Sequence, residues 1–502
     1  MPIEKNKIEG SLMVQGTTSD AGKSLLVAGL CRVLKRKGIS VAPFKPQNMS
    51  LNSAVTLCGG EIGRAQALQA IACGLELETD FNPVLLKPTS NNQSQVIING
   101  KVVSQLDASR FGSIKELAFD SVLESYKRLQ KKYDVVLIEG AGSPAEVNLR
   151  KNDIANMGFA EEVNCPVILI SDIDRGGVFA HLKGTLDILS KSENERIKGM
   201  VINKFRGNID LLKDGLDWIE DKTKKPILGV LPYMIDLKLD AEDGIKIPQE
   251  IKNGSNKSFI KIVVIVLPRI SNHTDFEPLL ANDNVDLSYT RFPDDLHGVD
   301  LVIIPGSKNV RSDLNFLHDN QWTEWIKKHC RYGGKVLGIC GGFQMLGNYI
   351  SDPLGIEGDV GQTTGLSLLN IETELEESKQ LKNVKGLLKI TSSNETAING
   401  YEIHCGKTEG IDLNFPFCEL SDQHGGFYND GVISSDNQII GTYLHGLFET
   451  RETTEAILSW VTGKKENAQD WNTIRELELD RLADMLEENM DIENILSMIT
   501  LD

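Results

Sequence analysis

This sequence of 502 residues holds one stretch suited to binding phosphate and one suited to covalent attack by sulfur. The first is Gly16-Thr17-Thr18-Ser19-Asp20-Ala21-Gly22-Lys23-Ser24. Glycines let backbone amides close around phosphate oxygens at a helix start; a lysine neutralises their charge, and a following hydroxyl can coordinate Mg2+. The run SLMVQG before it reads as a buried strand, and Lys23 to Lys37 as a helix stopped by Gly38, which supplies the strand–loop–helix context. The second stretch is Gly338-Ile339-Cys340-Gly341-Gly342, between KVLG and FQMLG. Small residues around a nucleophile permit a tight strand-to-helix turn that projects the sulfur from a sheet edge. The helix start favours thiolate, the amide of Gly341 can serve as an oxyanion donor, and Gly306 in Pro305-Gly306-Ser307 offers another.

Supporting residues follow from position. Glu139 ends the apolar strand YDVVLIEG and would face a ligand crevice, where it can hold Mg2+ together with Ser24. Asp172 and Asp174 occupy the same edge on the next strand and read equally as helix caps or functional acids. Lys45 reads as a second phosphate-binding lysine or as a solvated strand end. A cysteine hydrolase needs a histidine base from elsewhere in the chain. His445, ending the run IIGTYL, is the first candidate and His404 the second; His181, His273, His297, His318, His329 and His424 read as surface or capping residues.

The elements that must position these residues alternate. ISVAPFK, CPVILISD, KGMVINK and PILGVLP are further apolar runs of the doubly buried kind found in parallel sheets. The spacing predicts a doubly wound, mostly parallel α/β domain over residues 1–235 and a linker over 236–258. A second α/β domain follows over 259–450, built on FIKIVVIVLP, DLVIIPG, GKVLGIC and QIIGTYLHG, and a helical acidic tail over 451–502. From Thr473 on, that tail has only Arg475 and Arg481 as bases, and it is expected to pack or to mediate self-association, giving a homo-oligomer. The net charge of −18 argues against nucleic-acid and anionic-membrane binding. The eight scattered cysteines form no CxxC pair, so neither a disulfide framework nor a zinc site is indicated, and a cytoplasmic protein is expected.

The longer phosphate loop resembles that of the dethiobiotin synthetase branch, and both halves together resemble the cobyrinic and cobyric acid amidotransferases. The resemblance rests on MVQGTTSDAGKS, FKPQNMSLNS, GGEIGRAQALQA, VLIEGAGSPAEVNL, SDIDRGGVFA, PRISNHTDF, IIPGSKNV, GICGGFQMLG, GYEIHCGKT and GTYLHGLF, in one order over nearly the whole chain. It implies a class I glutamine amidotransferase-like, flavodoxin-like second domain. It further implies ATP- and Mg2+-dependent amidation of peripheral carboxylates of a corrinoid, with glutamine as nitrogen donor, Cys340 as nucleophile and His445 as its histidine. The nearer branch converts the b, d, e and g carboxylates of adenosylcobyrinic acid a,c-diamide; the sibling branch makes the a,c-diamide itself, and a carboxylating ligase of the dethiobiotin type would need no Cys340. The motif around Arg64 looks like part of the corrinoid side. Leu447 stands where the wider class places a glutamate two residues after the histidine, which leaves Glu449 or a backbone carbonyl to orient His445.

Overall fold

The computed structural model describes residues 8–89, 93–107, 115–151, 153–240, 259–293, 296–390, 396–422 and 425–499. The first sheet is parallel throughout, in the order Ile227–Pro232, Ile197–Phe205, Val167–Asp172, Gly10–Gly16, Val135–Glu139, Val41–Phe44. Its central strands are buried at nearly every position because helices cover both faces, one core including Leu12, Val14, Leu30 and Ile168, the other Met13, Phe44, Ile138 and Phe159. Parallel pairing puts every C-terminal strand end on one edge, which collects Gly16, Lys45, Glu139 and Asp172 there. The long helix Lys23–Arg36 begins directly behind the phosphate loop, at a left-handed Gly22 with φ 100°.

The second sheet runs Val285–Thr290, Ile260–Ile265, Leu301–Ile304, Lys335–Ile339, Ile439–Thr442 and Val432–Ile433, parallel except for the last strand. A third sheet, which sequence periodicity does not reveal, is built on the long hairpin Ile371–Leu388 and Thr396–Gly410. Its strands are long and polar on one side, with charged residues such as Glu374, Lys379 and Lys382, so they read as surface. They are held because Leu375, Val384 and Ile398 pack into the cores of the second domain while Ile403, on the opposite face, packs against Val55 of the first. A small four-stranded sheet, Gln47–Met49, Val84–Pro88, Gln93–Ile98 and Lys101–Asp107, projects from the first domain toward this hairpin.

The two domains meet over polar contacts. The Asn52 side chain is 2.9 Å from His273 Nε2 and accepts the His273 amide; the Ser53 amide donates to Asn272 Oδ1 at 3.0 Å. Val55 packs with Tyr401 and Ile403. Thus FKPQNMSLNS and PRISNHTDF touch each other. His273, and His329 beside Trp325, are buried, contrary to the surface reading, because each fills a packed site and gives its Nε2 to a protein partner, Asn52 for His273 and the Lys335 carbonyl for His329. His181 and His297 are exposed, and His424 lies outside the described residues.

The tail divides. Helix Arg451–Thr462 packs Ile457, Leu458 and Trp460 into the second domain. Helices Trp471–Asn489 and Ile492–Ile499 return to the first domain, where Leu479, Leu482, Leu486 and Ile495 join Leu30 and Leu34 in one core. Their acidic face meets the basic side of the first helix: Arg36 pairs with Asp480, Asp484 and Glu487, and Arg32 with Glu476. The tail is acidic because it straps a basic helix of its own chain. Leu486→Ala is expected to destabilise the protein by about 2–5 kcal/mol, since the leucine is fully buried and lies against Gly29; chemical denaturation measures it. The first residues of the expected linker are also packed, Leu239 in the core and Asp240 beside Arg64; residues 241–258 lie outside the described residues.

Candidate active site

The strand Lys335–Ile339 ends at Cys340, which adopts φ 54° and ψ −113°, and the short helix Gly341–Met345 starts at the next residue. A non-glycine residue held at positive φ costs about 1–3 kcal/mol and persists only where its surroundings impose it. The imposition is visible: a Cβ on Gly342 would collide with the carbonyl of Ile304, and one on Gly338 would reach within 2.7 Å of the Gly342 carbonyl. The turn therefore needs glycine on both sides of the sulfur. Cys340 is 7% exposed and lines a small pocket with Gln344, Ser307, Lys308, Glu357 and His404.

His445 follows the neighbouring strand and lies 1% exposed, stacked on Tyr401. Its Nδ1 donates to Asp275 Oδ2 at 2.6 Å, and Asp275 Oδ1 accepts the Gly446 amide at 3.3 Å. Among the described residues its Nε2 has no hydrogen-bond partner within reach, and the Cys340 sulfur stands near enough to help hold a proton there. Burial alone would lower the imidazole pKa; the charge and hydrogen bond of Asp275, aided by the thiol, outweigh it and raise the pKa to about 10. The thiol donates to the Ile403 carbonyl at 3.4 Å. His404 stacks on Tyr443, and burial, then Lys382 and His445, lower its pKa to about 3, so it stays neutral and cannot act as the acid.

Neither of the orienting groups expected from the sequence holds His445. Glu449 is taken by Arg64 at 2.8 Å and by Arg475, whose charges overcome burial and hold its carboxyl at about 2. Arg64, also paired to Asp240, is a buried tie between the domains. Asp275 was invisible to spacing rules because 170 residues separate it from His445. Asp275→Asn is expected to lower glutamine-dependent turnover by roughly 10²–10⁴-fold, as loss of the orienting carboxylate does in comparable triads. The imidazolium persists below about pH 10 with Asp275 and loses its proton earlier without it. The alkaline limb of ammonia release should therefore move to lower pH; a pH–rate profile checks it.

Of the two expected oxyanion donors, Gly341 begins the short helix, and its Cα faces the Ser307 amide nitrogen, 3.0 Å from where a Cβ would stand. Gly306 is paired with Ser271 in a two-residue bridge, so the amide nearest Gly341 belongs to Ser307. Ser307 Oγ donates to buried Asp313 at 2.6 Å, which fixes the loop.

At the first sheet edge, Gly16, Thr17, Thr18, Ser19, Asp20, Ala21 and Gly22 wrap the start of the helix. Lys23 Nζ donates to the Thr18 and Ser19 carbonyls at 3.0 and 2.9 Å. Ser24 Oγ donates to Glu139 Oε1 at 2.7 Å, and Lys45 Nζ stands 2.9 Å from the same oxygen. Burial would raise the Glu139 pKa, but Lys45 and the Ser24 and Gln69 hydrogen bonds lower it. Ser24 and Glu139 thus present two hard oxygen donors side by side, which fits Mg2+ chemistry. Lys45 is neither solvated nor remote from the site: it neutralises Glu139. Asp172 accepts Lys204 at 2.8 Å, and Lys204 also donates to the Asp20 carbonyl, so Asp172 braces the loop from behind.

Lys23, Ser24, Lys45 and Glu139 line a cavity of about 640 Å³ with Asn48, Ser143 and Asn156. One layer of backbone separates it from the pocket at Cys340. In strand Val84–Pro88, Leu86 lines the cavity and Lys87 lines the Cys340 pocket. In strand Gln93–Ile98, Ser94 and Val96 face the cavity while Gln95 accepts Lys308 of the second domain. The alternation of a β-strand gives each side of this partition to a different site.

A nucleotide-binding domain followed by a glutamine amidotransferase domain supports an ATP-dependent glutamine amidotransferase. Residues 12–247 match the CobQ/CobB/MinD/ParA nucleotide binding domain and residues 261–453 the CobB/CobQ-like glutamine amidotransferase domain. In that order, the two matches support membership of the cobyrinic acid amidotransferase family. Among solved structures, the chain is similar to a glutamine amidotransferase at 14% identity, with a TM-score of 0.31 over 40% of this chain and 98% of that one. It is similar to PurLQS from Thermotoga maritima at 15% identity and a TM-score of 0.29, over 44% of this chain and 96% of that one. It is also similar to the signal recognition particle receptor FtsY from Elizabethkingia anophelis in complex with GDP, at 16% identity and a TM-score of 0.27, over 46% and 59%. Among the described residues no helix is long and apolar enough to cross a membrane, and no group of three His, Cys, Asp or Glu side chains could hold a metal ion.

Proposed function

We propose that the chain is of the cobyric acid synthase type: it amidates the b, d, e and g carboxylates of adenosylcobyrinic acid a,c-diamide, using ATP and glutamine. The observation that carries the reading is the pair of sites back to back on one β partition, Cys340 on one side and the phosphate loop on the other. A carboxylate resists attack by ammonia because oxide leaves poorly. Transfer of the ATP γ-phosphoryl to it gives an acyl phosphate, and ammonia then expels phosphate to form the amide. Lys23 and the loop amides would neutralise charge on the transferring group. Ser24 and Glu139 would hold Mg2+, which supplies further charge neutralisation when bound.

On the other side, Cys340 attacks the glutamine amide, the amides of Gly341 and Ser307 receive the oxyanion, and His445 protonates the departing ammonia. Water then cleaves the thioester to glutamate. Ammonia has one sheet layer to cross, which limits its conversion to ammonium in solvent. The cavity takes the phosphate tail and one carboxylate arm. The bulk of a macrocycle would rest at its mouth, where lining residues Met49 and Leu149 are 59% and 62% exposed, an apolar surface suited to a corrin face.

The test is incubation with ATP, Mg2+, glutamine and either adenosylcobyrinic acid a,c-diamide or cobyrinic acid, counting amides by mass spectrometry. Four new amides on the diamide support the reading. Two amides on cobyrinic acid, with the diamide untouched, would assign the chain to the sibling reaction.

A further inference from the structure

We infer that Lys308 recognises the α-carboxylate of glutamine, so that the Cys340 pocket selects its amide by the charged end of the amino acid; the inference rests on the glutaminase reading above. Three ammonium groups line that pocket, on Lys87, Lys308 and Lys379. They are not equivalent. Lys87 and Lys379 both donate to the fully buried Glu61, Lys87 at 2.5 Å from Oε1, and together they hold that carboxyl well below the usual range despite its burial. Those two cations and that anion form a closed set at the domain interface.

Lys308 forms no ion pair among the described residues. Its Nζ donates to the neutral amide oxygen of Gln95 at 3.0 Å. That single hydrogen bond leaves the charge without a contacting carboxylate; Glu357 and Glu61 oppose it only from a distance. Burial, then the neighbouring Lys379, accordingly push its pKa down. A carboxylate placed beside it would supply a direct countercharge. Its position suits glutamine: Lys308 is the residue after Ser307, whose amide faces Gly341, and its own amide is tied to the Arg269 carbonyl at 2.9 Å, so the loop is fixed. The amide of a bound glutamine would lie at Cys340 and its far end toward Lys308. Glu357 lines the same pocket; burial raises its carboxyl to about 7 against the pull of Lys308, and an α-ammonium beside it would favour the charged form. Because Gln95 belongs to the first domain, the anion-binding corner is assembled only when the two domains are docked.

The experiment compares release of ammonia from glutamine and from glutaminamide, whose α-carboxyl is a neutral amide, in the full chain with ATP, Mg2+ and the corrinoid. Wild type should prefer glutamine by about tenfold or more in kcat/KM, because a site built around an absent charge rejects the neutral analogue. Lys308→Gln should lose most of that preference through a slower reaction with glutamine, Lys308→Arg should restore it, and amidation supported by ammonium salt should be unchanged in both. If Lys308→Gln keeps the wild-type preference, or slows both amides equally, the inference fails while the glutaminase reading stands. If wild type releases ammonia from neither amide, the glutaminase reading fails and takes the inference with it.

Discussion

Cys340→Ala should reduce glutamine-dependent amidation by roughly 10⁴-fold or more, while amidation supported by ammonium salt stays within about threefold of wild type. The substitution removes the sulfur that the elbow presents for thioester formation. It leaves the backbone alone, because the positive φ at position 340 is imposed by glycines 338 and 342 and by the Ile304 carbonyl, none of which it alters. Exogenous ammonia bypasses the second domain by entering the large cavity at its open mouth beside Met49. The assay is amide formation with each nitrogen source at equal ATP and corrinoid. Parallel loss with both sources, in a variant that melts like wild type, would mean that the sulfur does not feed the other site.

Lys23→Met should do the reverse. Amidation should fall by about 10³-fold with glutamine and with ammonium salt alike, corresponding to about 4 kcal/mol of transition-state stabilisation. Hydrolysis of glutamine measured without ATP should stay within a few-fold of wild type. Lys23 is 4% exposed, and its ammonium is folded onto the Thr18 and Ser19 carbonyls of its own loop. An incoming γ-phosphate would exchange those carbonyls for charged oxygens, a stronger interaction and one that grows as charge shifts during transfer. Methionine keeps the stem and the packing but offers no charge. Protection against thermal unfolding by ATP should weaken in the same variant, which separates lost phosphate binding from a loop that no longer folds. Equal loss of the ATP-free glutaminase would instead place Lys23 in a structural role common to both domains.

Much of the architecture was legible because it is local. Continuous apolar runs such as YDVVLIEG and CPVILISD announce strands covered on both faces, and every strand predicted in the two main sheets is found. Glycine spacing announced both functional turns, since a phosphate loop and a nucleophile elbow each need backbone that other residues cannot supply at those positions. The long hairpin Ile371–Leu388 and Thr396–Gly410 went unread because many of its positions are charged, and some of those charges, such as Lys379, find their partners only in the other domain. The tail was read as helical and acidic, set to pack or to self-associate; where it packs needed the basic helix it straps, whose residues precede it by some 444 positions.

The amino-acid sequence by itself determined the two chemistries and their order along the chain, because each depends on a handful of contiguous residues at one strand end. Tertiary structure alone decided what completes them. It supplied Asp275 for His445, gave Lys45 to Glu139, buried Arg64 between domains, and set the two pockets on opposite faces of one small sheet. The physical reason is that these partners meet through packing of elements distant in sequence, and no period or spacing along a chain encodes which distant surfaces come to share a buried charge.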